Sequence, residues 1–179
     1  MLSGCIPPAS NNAPAQNTGQ SLPEDPAPIV TPPASETTPS APQLQIPTLS
    51  QWRNGPISAG DWFYSDDVDE TFAGFGASAM APQLVLRCDK SRKVIGIARM
   101  GSTFEGSLPL LVQTGTGERQ LSAQREEFGD IHFAELPAAD RFLEDIAFSR
   151  GRFAVTLAGE ETLRIPAYPE ITRVIEDCR

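Results

Sequence analysis

The 179-residue chain holds one histidine, three cysteines and only two lysines, and each scarcity removes a class of chemistry. A lone His132 and no Cys-x-x-Cys pair leave the ligand spacing of a zinc site unmet, and neither metal nor cofactor is expected. No G-x-S-x-G elbow, H-E-x-x-H pair or P-loop occurs, so hydrolytic and nucleotide-binding readings have no motif behind them. No apolar run approaches the roughly 18 residues that a membrane-spanning helix needs. No internal repeat is visible, which argues against solenoids and propellers. Residues 6–50 lack every aromatic and every basic side chain, yet contain eleven of the seventeen prolines. Such a stretch cannot offset its ordering entropy by burying a core. It is expected to be a disordered, proline-rich linker with a polyproline II bias.

The composition changes at Gln51-Trp52, after which come both Trp, both Tyr, all nine Phe and all fourteen basic residues. One globular domain is expected over 52–179, long enough to bury roughly two-thirds of its unfolded surface. Fourteen basic residues against twenty acidic ones give this part a charge of −6, which disfavours nucleic acid as a partner. Period-two runs predict strands at 83–88 and 93–99 around the polar turn Asp89-Lys90-Ser91-Arg92, and at 108–114 and 119–124 around Gly115-Thr116-Gly117-Glu118. Further strands are expected at 61–65, 71–76, 131–136, 152–157 and 162–165. Phe142, Leu143, Ile146 and Phe148 recur at helical spacing after Pro137-Ala138-Ala139-Asp140-Arg141. Pro169 opens a final helix that places Ile171, Val174, Ile175 and Cys178 on one face. The fold class is therefore mainly β, a small antiparallel sandwich or partly closed barrel with one or two short helices.

Four clusters are candidates for chemistry or contact. His132 lies in an alternating strand, opposite in facing to Ile131 and Phe133, and a solvent-facing strand residue is the expected role. Asp66-Asp67-Val68-Asp69-Glu70 concentrates carboxylates without calcium-loop spacing, so it reads as a solvated acidic turn. Arg150 and Arg152 in Ser149-Arg150-Gly151-Arg152 suit a helix end, or in the sharper reading an anionic ligand. Trp52, Trp62, Phe63 and Tyr64 should be core or docking residues, with any exposed remainder forming a contact patch. No catalytic residue is assigned.

Leu2-Ser3-Gly4-Cys5 resembles the lipobox of bacterial lipoproteins, in which small residues precede the cysteine that is acylated and becomes the mature N-terminus. The resemblance implies that residues 1–4 are the remnant of a signal whose basic and apolar parts begin upstream of Met1. Cys5 would carry the lipid, and residues 5–51 would form a tether. Cys88 and Cys178 then remain as a pair for a disulfide in an oxidising compartment. Ile6 in place of aspartate resembles cargo sent to the outer membrane of Gram-negative bacteria. The resulting expectation is a lipid-anchored periplasmic binding module whose partners are the membrane, through its lipid, and an envelope protein or peptidoglycan. Two other readings are an envelope hydrolase assembled from His132, Asp61 and the acidic run, and a passive spacer lipoprotein.

Overall fold

Alternation along single strands sets which side of the sheet becomes core. In the fourth strand Ile95, Ile97 and Arg99 are buried, while Val94, Gly96, Ala98 and Met100 are half-exposed on the opposite face. That period of two is the signature of a sheet with one covered face. The computed structural model describes residues 40–179; Cys5, the tetrapeptide before it and the linker up to residue 39 lie outside the described residues.

Nine strands and three short helices follow in the order α1 (Leu49–Asn54), β1 (Asp61–Asp66), β2 (Glu70–Ser78), β3 (Ala81–Asp89), β4 (Val94–Met100), β5 (Leu108–Gln113), β6 (Glu118–Arg125), β7 (Ile131–Pro137), α2 (Phe142–Ala147), β8 (Arg152–Leu157), β9 (Leu163–Pro166) and α3 (Pro169–Asp177). All nine expected strands are present. They form one antiparallel sheet in the order β1-β2-β3-β4-β7-β6-β5-β8-β9, curled into a half-barrel rather than split into a sandwich. Two meanders build it. β1 to β4 run out from one edge, and β5 to β7 fold back so that β7 seals against β4. β8 and β9 then extend the sheet from the free side of β5. The seam between β6 and β7 pairs at only two positions, Gln124 with Phe133 and Arg125 with His132, against seven between β4 and β7. Local loss of the ladder lets the sheet bend there.

The inner face holds Leu84, Leu86, Ile95, Ile97, Leu110, Val112, Phe153, Val155 and Leu157, all essentially sealed from water. α3 lies over β1, β2 and β3 with Ile171, Val174 and Ile175 turned inward, and each such side chain stabilises the fold by about 1.5–3 kcal/mol. Pro169 occupies the first turn, where a missing N–H costs nothing. A disulfide joins Cys88 on β3 to Cys178 at the end of α3, with a Cα–Cα distance of 5.5 Å, and ties the C-terminus to the sheet. α2 contributes Phe142, Leu143 and Ile146 to the same core and packs against α3.

Two sequence expectations change. The domain boundary drawn at 51/52 falls inside α1, which begins at Leu49 because Thr48 and Gln51 close a capping box across its first turn. Trp52, only 1% exposed, is the anchor of that helix, and the ordered packing extends back to Pro47, whose carbonyl accepts from Gln113 Nε2 at 3.4 Å. The second change concerns His132. It is fully buried, whereas Ile131 and Phe133 are half-exposed, so the facing of β7 is the reverse of the solvent-side assignment.

Candidate functional site

Register explains the inversion at His132. It pairs with Arg99 on β4 and Arg125 on β6, which puts three polar residues in one row on the inner side of the sheet. The segment covering that row is residues 101–107, the crossover from β4 to β5, and a crossover presents carbonyls rather than apolar side chains. His132 Nε2 donates to the Gly106 carbonyl at 3.0 Å, and Arg125 Nη1 reaches the Ser102 and Phe104 carbonyls at 3.5 and 3.4 Å. Arg99 donates to the carbonyls of Gln83, Met100 and Glu161. Desolvation lowers the pKa of its guanidinium, opposed by the nearby Glu160 and Glu161. His132 Nδ1 is buried without a protein partner. A general base must reach its substrate's proton, and this nitrogen is enclosed. His132 and Arg125 thus pin the crossover, while Arg99 ties β4 to β3 and to the segment between β8 and β9.

The residues of the hydrolase reading are not brought together. Asp61 is exposed at the start of β1, on the face opposite His132 and four strands away, which is about 19 Å at the usual strand spacing. The acidic run is a turn between β1 and β2 whose charge is met locally. Lys90 Nζ donates to Asp66 Oδ1 at 2.7 Å and to the Asp67 carbonyl at 2.6 Å, and Arg87 pairs with Glu70. Among the described residues no His, Cys, Asp and Glu cluster could hold a metal ion.

The outer face of the sheet carries a feature that the sequence reading missed. Phe63, Gly74, Val85, Ala98 and Phe133 stand side by side on β1, β2, β3, β4 and β7, each the direct partner of the next. Aromatics close both ends, and small side chains floor the middle. Gly74 fits this row tightly, since a Cβ there would meet Pro82 Cβ at 3.3 Å. On the β4 side the floor deepens into a trough of about 410 Å³ lined by Val94, Gly96, Met100, Ile131 and the 80%-exposed Phe128. On the β1 side a second hollow of about 310 Å³ lies between Phe63, Phe72 and Pro82, and Val85 lines both. The rim is charged in both signs. Arg92 forks onto Glu135 at 2.8 and 2.7 Å, and Asp89 accepts from Ser91 and Arg92. Hydrogen bonds from Arg92 hold Glu135 below the usual carboxylate range; those from Ser91 and the Arg92 backbone do the same for Asp89. A signal for this face existed in the sequence of β4, where Val94, Gly96, Ala98 and Met100 keep the second alternation phase apolar or small, a pattern of strands covered on two sides.

The four aromatics singled out near the domain's start divide between the two faces. Trp52 is buried beneath α1, and Trp62 is core, tilted against Phe75 at 5.5 Å with its Nε1 donating to the Pro166 carbonyl at 2.9 Å. Tyr64 donates to Asp177 Oδ2 at 2.6 Å, and that bond, with burial and the Asp177 charge, pushes its pKa up to about 12. Phe63 faces the outer row. Arg150 and Arg152 lie at the end of a turn after α2. Arg152 Nη1 donates to the Gly55 carbonyl at 2.7 Å, beyond α1 and not on α2. The helix-end role expected for that residue is thus filled toward a different helix, because β8 runs beside α1. No protein-family model matches the chain, and no curated protein or solved structure matches it.

Proposed function

We propose that the chain is a lipid-anchored binding module of the bacterial cell envelope, held to the outer membrane through Cys5 and facing the periplasm. Its proline-rich segment is the spacer, and its outer sheet face docks a protein partner. The observation that carries the docking role is the five-strand row Phe63–Gly74–Val85–Ala98–Phe133, whose side chains are half-exposed on the outer face around a buried Gly74. An apolar centre inside a polar rim is the usual anatomy of a protein interface. The trough's rim holds Arg87 and Arg92 against Asp89, Glu126 and Glu135, so it offers no net positive charge to anionic headgroups or nucleic acid. A protein presenting an apolar ridge flanked by both signs of charge fits this face. The disulfide supports an oxidising compartment, as does the cysteine count once Cys5 is set aside for the lipid.

The test uses a photo-crosslinking amino acid at Ala98 in the full-length protein in its native cells, with Glu176 on the outer side of α3 as control. A discrete protein adduct from Ala98, absent from the Glu176 position and lost on Val85→Arg, is the expected result. No adduct at Ala98, identical adducts at both positions, or adducts with a second copy of the chain would overturn the reading. Intact mass of the membrane-extracted protein tests the anchor separately, since acylation adds the diacylglycerol mass at Cys5. An unmodified Cys5 would refute it.

A further inference from the structure

On the opposite end of the sheet, α1, the β5–β6 turn and the α2–β8 turn enclose a cleft of about 430 Å³ lined by Trp52, Arg53, Gly115, Thr116, Phe148, Arg150 and Arg152. Every charged side chain in that lining is an arginine, in a chain whose net charge is −9. Segregation of this kind opposes the chain's own average and costs mutual repulsion unless an anion is there to relieve it. Eight ion pairs are formed among the described residues, and none involves Arg53, Arg150 or Arg152. Arg53 spends one nitrogen on the Gly115 carbonyl at 2.8 Å and Arg152 one on the Gly55 carbonyl. These two bonds fix both guanidinium groups in place and leave most of their five N–H donors unspent. Arg150 makes no hydrogen bond among the described residues. The adjoining hollow, which shares Trp52, Arg53, Gly115 and Thr116 with the cleft, holds the Glu118 carboxylate, engaged by Gln113 Nε2 at 2.9 Å, and Asp145 accepts from the Thr116 hydroxyl at 2.7 Å.

Trp52 forms part of the cleft wall; it is 99% buried, and its unpartnered indole Nε1 is sealed from solvent rather than turned to the open cleft. Arg53 stacks over its ring at 5.2 Å, so the indole also holds that cation in position. Phe148, 72% exposed at the mouth, supplies an apolar shoulder for the body of a ligand.

We propose that this arginine cleft binds a phosphate-bearing ligand, its phosphate held by Arg53, Arg150 and Arg152 and its organic part against Phe148. Three guanidinium charges exceed what a single carboxylate neutralises, whereas a phosphate monoester carries about −1.5 to −2 charge and three acceptor oxygens at neutral pH. The ligand is either a small soluble phosphate ester or the phosphate headgroup of an envelope lipid, and the cleft is separate from the outer sheet face.

The experiment titrates the full 179-residue chain with glycerol phosphate by calorimetry and tryptophan fluorescence, and with vesicles of phosphatidic acid in phosphatidylcholine by sedimentation. Saturable binding of either probe is expected, weakened about ten-fold by Arg150→Ala, the scale of one lost charge-assisted bond. Arg150→Lys should recover part of it. Arg150 is exposed and unbonded, so its removal leaves the fold intact, which unchanged thermal melting would verify. Binding of glycerol phosphate assigns a soluble ester; binding of vesicles alone, still sensitive to Arg150→Ala, assigns a headgroup. Absence of saturation with both probes, or affinity unaltered by Arg150→Ala together with Arg53→Ala, would overturn the proposal.

Discussion

Reducing the Cys88–Cys178 bond releases a constraint spanning 90 residues of sequence. In the chain-entropy treatment, closing a loop of that size removes about 4–5 kcal/mol of freedom from the unfolded state. The native state should change little, because Ile171, Val174 and Ile175 keep α3 seated on β1 to β3 by burial alone. Both effects are measurable by urea unfolding of the full chain with and without a thiol reductant. With a slope of about 2 kcal/mol/M for a domain of this size, the midpoint should fall by roughly 2 M on reduction. The far-ultraviolet dichroism before the transition should remain that of the oxidised form. Reduction is the better perturbation than Cys88→Ala, since Cys88 is fully buried and truncation adds a cavity to the entropic effect. An unchanged midpoint, with both thiols shown to be free by alkylation, would refute the reasoning. So would loss of helix signal on reduction at zero urea, because α3 would then depend on the bond rather than on its apolar face.

Truncating His132→Ala should destabilise the domain by about 1–3 kcal/mol, the scale for a buried acceptor left without its donor, and should leave any binding at the outer face or the arginine cleft unchanged. Urea midpoints combined with the crosslinking assay check it, and an unchanged midpoint, or lost crosslinking in a protein that melts normally, would contradict a purely structural role. Toward acid, Glu135 and Asp89 are held low by their hydrogen bonds, and Asp140 too, where the Phe142 N–H and Arg119 outweigh desolvation. Depressed folded values mean stability that is full above about pH 5 and drains away as pH falls through them, so the urea midpoint should drop between pH 5 and 2.5. Glu135→Gln should flatten part of that slope, and a profile indifferent to the substitution would contradict the ion-pair assignment. Toward alkali the sign reverses at Tyr64: its raised value makes the Asp177 bond fully available below about pH 10 and lost as pH climbs toward about 12, a loss that Tyr64→Phe should abolish.

The strands were legible because each is a local pattern. β4 and β7 alternate strongly enough to be read from the residues within them, β5 and β8 stand out as apolar runs, and Pro169 with its i, i+3, i+4 stripe specifies α3 in the same way. The α1 helix was harder to read, since six residues in proline-rich surroundings carry little periodic signal and the deciding evidence is the cap that Thr48 and Gln51 make together. His132 shows a deeper limit. Alternation told that it faces away from Ile131 and Phe133, but not which of those sides is the inner one.

Composition and the alternating runs were enough to determine a mainly β domain behind a proline-rich segment, while three cysteines alone left open which two of them pair. Tertiary structure alone decided the rest, for a physical reason common to every case. Facing, register and charge neighbours depend on residues far apart in the chain. Phe63 and Phe133 lie seventy positions apart yet close two ends of one row, and Arg53 joins Arg150 and Arg152 across nearly a hundred residues. Antiparallel pairing and the fold-back of β7 onto β4 create both neighbourhoods, and no window of sequence contains either one.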